Sequence, residues 1–302
     1  MDGTARQLPD PTLFRQPALR REAQSTSALE GTYAPLSVVF EADEETPGSL
    51  DLTEILNYVR MAEHGFAGIG DSRPLSLPFL ADIQGVLMRG TPLQHTSGRV
   101  REIQVVIGVR DGAALTAPAI HTARFVPSPP GPELEADLRA LTDWINTDHS
   151  ADIDPVVAAA MAHYQFETLH PFQDGNGRLG RYLIVLHLMK QGILTEPTLT
   201  VSPWFEARRS AYYDHLLGVS THGDWDGFVT FFATGLAAAA DLTRRQMIAL
   251  RAVQQRLRDV VRDSPLRAQR AVALVDLAVA RPYFTVRQVA QELEVSYPRA
   301  NE

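Results

Sequence analysis

Between one apolar helical stretch, Pro155 to Thr168, and another, Arg178 to Gln191, the chain reads His170-Pro-Phe-Gln-Asp-Gly-Asn-Gly-Arg-Leu-Gly-Arg181. Asp174-Gly175-Asn176-Gly177 is strong turn chemistry, and its glycines let backbone N–H groups come close to a ligand. The segment therefore reads as a loop opening onto a helix that starts near Gly177 or Arg178. The free N–H groups and dipole of such a helix start make an anion site. Arg178 and Arg181 lie three apart, on one helical face, and two guanidinium groups there suit a polyphosphate. Asp174 is a hard oxygen ligand beside that site and suits Mg²⁺. His170, at the loop entrance, has the proton affinity for abstraction near neutrality. Base, metal carboxylate and phosphate cradle together imply phosphoryl or nucleotidyl transfer.

The rest of the chain predicts the frame around this loop. Pro9 to Pro17 reads as an extended lead-in, and Ala18 to Leu29 as a helix ending near Gly31. Apolar residues at helical spacing place another helix over Asp51 to His64, ended by Gly65, and Leu77 to Met88 gives a third. Arg101 to Val109 alternates in part and is rich in β-branched residues, with Thr122 to Val126 as its partner in a hairpin. Helices are expected again over Glu133–Ile145, Phe205–Val219 and Trp225 to about Arg262. After Pro265, Arg267–Ala280 is helical, Thr285 sits where an N-cap belongs, Glu294-Val295-Ser296 is turn-like and Tyr297 begins another helix. That pattern resembles the front half of a helix-turn-helix, cut short at Glu302 or else a helical hairpin. The expectation is a mainly α chain in three parts: 1–50, 51–262 with a small β-hairpin, and a C-terminal helical unit, 263–302.

Bulk properties narrow the class. The chain has 302 residues, 45% hydrophobic and 21% charged, as in a globular protein with a substantial core. With no cysteine, disulfides, thiolate zinc sites and a cysteine nucleophile are excluded. The N-terminus lacks the basic and apolar pattern of a secretory signal, and the most apolar stretches are too short to span a bilayer. A cytoplasmic protein without membrane contact is expected. The net charge of -8 argues against general nucleic-acid binding. From Arg244 onward, however, 11 Lys+Arg face 6 Asp+Glu. That is either an appended basic module that meets DNA or a solvated Arg-rich helix. His163, on an apolar helix, reads as a satisfied core histidine, and His187 as structural. Trp144, Trp204 and Trp225 read as core. Tyr212 and Tyr213 belong either to an adenine pocket or to core packing. No zinc ligand set, Walker A loop or nucleophile elbow is apparent.

The twelve-residue run matches HxFx(D/E)GNGRxxR at every specified position, and on it the chain resembles the Fic (Fido) family. Met161–Leu169, Ala123–Pro130 and Trp204–Trp225 look like the family's flanking segments, so the resemblance covers roughly Leu19 to Leu250. It implies the Fic-fold helical bundle and a protein adenylyltransferase that moves AMP from ATP to a Ser, Thr or Tyr hydroxyl of a protein target. Carried over by position, His170 would deprotonate the hydroxyl and Phe172 would anchor the loop. Asp174 would hold Mg²⁺ on the α- and β-phosphates. Gly175, Asn176 and Gly177 would form the anion cradle, with Asn176 at the α-phosphate, Arg178 at the β-phosphate and Arg181 at the γ-phosphate. The hairpin fits the family's flap, which clamps the target by strand addition, over Arg101, Ile103, Gln104, Val105, Val106, Ile107 and Gly108. Relatives often have Gln-Asn-Trp-Ile-Gly where this chain has Gln104-Val-Val-Ile-Gly108.

Thr26-Ser-Ala-Leu-Glu30-Gly31 matches the family's inhibitory pattern, (S/T)xxxE(G/N), N-terminal to the core. The resemblance implies that Glu30 pairs with Arg181 and turns ATP away from in-line geometry. Two other readings stay open. Glu30 could orient water and remove AMP from a modified protein, or the core could be a nucleotide sensor for a DNA-binding tail. A second copy of the chain is a further possible partner.

Overall fold

The structure is a computed structural model, and it describes residues 12–70, 73–110, 112–114, 116–263 and 269–301. Helices dominate it: α1 (Thr12–Leu29), α2 (Leu36–Glu41), α3 (Leu50–Gly70), α4 (Leu77–Leu87), a 3₁₀ turn at Gln94–Thr96, α5 (Ala119–Thr122), α6 (Pro132–Asn146), α7 (Pro155–Leu169), α8 (Asn176–Lys190), α9 (Ser202–Glu206), α10 (Arg209–His222), α11 (Trp225–Asp263), α12 (Gln269–Ala280), α13 (Val286–Glu292) and α14 (Tyr297–Asn301). Two short strands, β1 (Ile107–Val109) and β2 (Ala123–Phe125), pair antiparallel with Ile107 opposite Phe125 and Val109 opposite Ala123. No helix among the described residues is long and apolar enough to cross a membrane.

One apolar core joins elements far apart in sequence. Leu19, Ala23 and Leu29 of α1 pack with Ile55, Leu56 and Val59 of α3, Phe166 of α7, Phe172 of the loop, Leu179 of α8 and Phe228 and Phe232 of α11. Each such Leu, Ile, Val or Phe side chain, fully removed from water, contributes roughly 1.5–3 kcal/mol. Helix starts are locally encoded. Ser76 accepts from the Phe79 N–H at the start of α4, and Asp154 from the Val156 N–H at 2.8 Å at the start of α7. Thr285 and Gln288 form a reciprocal capping box at α13.

The structure departs from the sequence reading at several points. Residues 12–17 are helical rather than extended (9–11 lie outside the described residues), although Pro17 leaves one helical acceptor without its donor. Phe14 is buried against Met247 and Val279, with Leu13 and Leu250 beside them, so tertiary contact overrides the local signal. Gly65 does not end α3, which runs on to Gly70. A Cβ at Gly65 would collide with the Tyr182 hydroxyl, so this glycine serves a close approach within the helix. Strand β1 is only three residues long; before it, the Arg101 and Gln104 side chains donate to the carbonyls of His170 and Pro127. Phe205–Val219 is split between α9 and α10, and Trp225 is 38% exposed rather than core. The expected start of the Arg267–Ala280 helix lies outside the described residues.

Candidate active site

The loop between α7 and α8 is braced from all sides. His170 ends α7 in the left-handed region, φ 47°, a conformation that costs a residue with a Cβ about 1–2 kcal/mol. Arg101 holds it there: its Nε donates to the His170 carbonyl at 2.8 Å, its Nη1 to the Ile103 carbonyl at 3.0 Å, and its Nη2 to the Ser128 carbonyl. The Arg101 N–H also donates to the Pro171 carbonyl at 2.9 Å. Expected on the exposed flap, Arg101 is instead 4% exposed and welds the flap base to the histidine loop. A buried guanidinium must have all its donors answered, and carbonyl oxygens do this here.

Asn176 locks the loop's other end. The Phe172 N–H donates to Asn176 Oδ1 at 2.8 Å, and Asn176 Nδ2 donates to the Phe172 carbonyl at 2.8 Å. Asn176, expected at the α-phosphate, thus has its side-chain amide occupied within the loop, and it is the first residue of α8. Gln84 on α4 donates to the Asp174 carbonyl at 3.0 Å. Gly175, with φ 81°, turns the chain into α8, where any Cβ would strike Leu87. Phe172 is fully buried.

The two arginines of α8 are themselves buried. Arg178 is within 3.4 Å of Glu54 Oε2 and 3.5 Å of Asp174 Oδ1. Arg181 is 1% exposed and grips the end of α1: Nε donates to Thr26 Oγ1 at 2.8 Å, and Nη2 to the Thr26 carbonyl at 3.0 Å and to Glu30 Oε1 at 2.5 Å. Thr26 and Glu30 are four apart, so one helical face presents both acceptors. Glu30 Oε1 also lies against Gly177, where a Cβ would collide with it. The carboxylate therefore sits on the N-terminal turn of α8. Burial works to raise its pKa, but the charge and hydrogen bond of Arg181, then Arg178 and His170, hold it below the ordinary carboxylate value.

His170 lines, with Glu30, Ile107, Arg124, Tyr213 and Leu216, a pocket of about 380 Å³. Burial pushes its imidazole down to about 4, so the ring is neutral at pH 7 and able to accept a proton. Glu167, three residues earlier, lines the same pocket with one carboxyl oxygen lacking a partner, and burial pushes it up to about 8. Asp174 is 44% exposed at the start of α8. Among the described residues no group of three His, Cys, Asp or Glu stands together. A single open carboxylate is the donor set Mg²⁺ uses when substrate phosphates supply the rest, so these residues fit the ion.

The two expected core histidines differ. His163 Nδ1 donates to the Gly180 carbonyl at 3.0 Å, and its Nε2 accepts from the Tyr212 hydroxyl at 2.7 Å. Among the described residues neither buried ring nitrogen of His187 has a hydrogen-bond partner, and the ring stacks on Trp144, centroids 6.3 Å apart. Tyr212 is core, whereas Tyr213 reaches the pocket. Sequence reasoning missed Glu54, Gln84, Arg209 and Glu167. Each comes from another helix or from an apolar pattern in which one polar residue carries no signal.

The Fic/DOC family model matches residues 74–188, and the model of the family's N-terminal region matches residues 1–67. The chain belongs to the Fic/DOC family. Among curated relatives, the protein adenylyltransferases Fic of Drosophila willistoni and Drosophila melanogaster are each 38% identical over 115 residues, which is 38% of this chain and 22% of theirs. The match thus spans about a fifth of those proteins. A Fic family protein from Desulfovibrio desulfuricans G20 superposes with a TM-score of 0.63 at 25% identity, over 98% of this chain and 81% of that one. Fic-1 from C. elegans gives 0.57 at 23% identity, over 82% and 67%, a likeness of fold.

Proposed function

We propose that this Fic protein transfers AMP from ATP to a protein hydroxyl, and that the conformation described is its resting, self-inhibited state. The N–H groups at the start of α8 and the guanidinium groups of Arg178 and Arg181 hold the phosphates. His170, neutral and facing the pocket, takes the proton of the target hydroxyl. The hydroxyl oxygen bonds to the α-phosphorus as the bond to pyrophosphate breaks. Asp174 would hold Mg²⁺, which when bound offsets phosphate charge. The chain contributes mainly position and fixed charge. The flap, 103–108, receives the target, and the names of the Drosophila relatives support the reaction class.

One observation carries the resting-state reading: Glu30 occupies Arg181 and the first turn of α8, where a phosphate would bind. The test is intact mass after incubating wild type, Glu30→Gly and Glu30→Gly/His170→Ala with Mg²⁺ and each nucleoside triphosphate. Glu30→Gly should gain one nucleoside monophosphate, most with ATP, and the other two little. Equal gain in wild type and Glu30→Gly would remove the inhibitory role, and undiminished gain in the double variant would remove the base. Because Glu30 keeps 32% of its side chain exposed beside His170, the reverse reaction belongs in the same assay. Loss of AMP from modified protein by wild type but not by Glu30→Gly would favour removal.

A second reading concerns the tail. Helix α13, a left-handed turn at Glu294 and exposed Tyr297 on α14 keep the helix-turn-helix pattern in view. Salt-dependent DNA binding lost on deleting residues after 262 would support it, and its absence in low salt would end it.

A further inference from the structure

The last turn of α1 permits a complete account of its carbonyl groups, and one of them points to a second latch. A helix end leaves its final carbonyls without intrahelical donors. Here Gly31, at φ 97°, forms a Schellman closure: the Thr32 N–H donates to the Ser27 carbonyl at 3.0 Å and the Gly31 N–H to the Ala28 carbonyl at 3.1 Å. The Thr26 carbonyl is taken by Arg181. That leaves Leu29. Its carbonyl accepts from Arg209 Nε at 3.1 Å and from the Tyr213 hydroxyl at 3.2 Å, both on α10. The Arg209 guanidinium also lies 5.7 Å from the Tyr213 ring centre, and its charge suits the negative end of the α1 dipole. Burial and the nearby Glu30 charge push the Tyr213 phenol up to about 12, so it remains a donor at any working pH.

Upstream, α1 is not free to leave. Leu19 and Ala23 are in the main core, and buried Glu22 accepts from the Ser202 N–H and hydroxyl on α9. Leu29 is in the same core, so motion that frees Arg181 falls to the very end of this turn and the residues after it. There three side chains hold the turn to α8 and α10: Arg181, Arg209 and Tyr213.

We infer that Tyr213, with Arg209, is a positioning residue for inhibition: the pair fixes the Leu29 carbonyl and so aims Glu30 at Arg181. This rests on the resting-state reading above and adds residues outside both sequence motifs. Tyr213 makes the larger contribution, because it is half-buried whereas Arg209 is exposed and screened.

Two measurements separate this inference from the function it rests on. First, Tyr213→Phe and Arg209→Gln are each placed in wild-type and Glu30→Gly backgrounds, and self-labelling rates with ATP are compared. The inhibition factor, the Glu30→Gly rate divided by the rate with Glu30 present, should fall about 2- to 10-fold for Tyr213→Phe, the scale of one hydrogen bond, and less for Arg209→Gln. Equal loss in both backgrounds, with the factor unchanged, would assign Tyr213 to the nucleotide pocket alone and overturn the inference. Second, amide exchange of Gly31 and Thr32 is followed without nucleotide. Faster exchange in Tyr213→Phe is expected, and unchanged protection would overturn the latch. Absence of labelling in every background would count against AMP transfer, while the exchange result would still decide the latch.

Discussion

The histidine loop and the flap border one pocket but are built on opposite principles. In the loop, nearly every exposed possibility is closed: Arg101 fixes the His170 carbonyl, Asn176 clasps Phe172 on both sides, and Gln84 holds the Asp174 carbonyl. In the flap, two three-residue strands share a short ladder, Ile103 is half-exposed and Val109 is 61% exposed. An over-determined segment can sustain a left-handed histidine and buried guanidinium groups. A lightly held edge can accept partners of different sequence. On the proposed function, the contrast would set fixed chemistry beside adjustable recognition.

The contrast can be broken at several points. His170→Ala in the Glu30→Gly background should lower self-labelling by roughly 10²–10⁴-fold, the usual share of a general base, with the melting temperature little changed. Asn176→Ala should cost less in rate, on the order of 10²-fold, because it misplaces rather than removes the base. It should also lower the melting temperature by several degrees, since two buried backbone groups of Phe172 lose their partners. A variant that kept both rate and stability would show that the loop does not depend on this clasp.

The imidazole provides a sharper test. Its pKa is depressed to about 4, so between the ordinary value of 6.5 and 4 the unfolded chain binds the proton and the folded site does not. Stability from this group is thus complete above pH 6.5 and declines as pH falls. An NMR titration, assigned with His170→Ala, should show the His170 ring silent from pH 8 to 5. A midpoint near 6.5 would mean an open, hydrated loop. The smallest effect is expected at the flap. Val109→Ala should change stability by less than about 0.5 kcal/mol, as at other exposed sites, while altering the KM for a protein target more than kcat.

Much of this was legible in the sequence because the signals were local. Turn residues at Asp174–Gly177 placed the loop that opens onto α8, helical spacing placed Arg178 and Arg181 on that helix, and Glu30-Gly31 placed a helix end. The structure gives that last pair a physical meaning: the carboxylate stands at the C-cap, and glycine takes the left-handed position after it. What stayed hidden depends on long-range contact. Arg101 reads as a strand residue until carbonyl groups 27 and 69 positions away bind its guanidinium. Gly65 reads as a stop until Tyr182 fills the space beside it. Likewise, Phe14 is drawn into helix by Met247 and Val279, which no local window contains.

The placement of α1 has a consequence for how the protein comes into being. Leu19, Ala23 and Leu29 complete the same apolar interior that seats Phe172 and Leu179. Packing α1 into that interior also sets the Glu30 carboxylate against Arg181 and the first turn of α8. If the proposed resting state holds, silence would be a product of maturation and not a later addition.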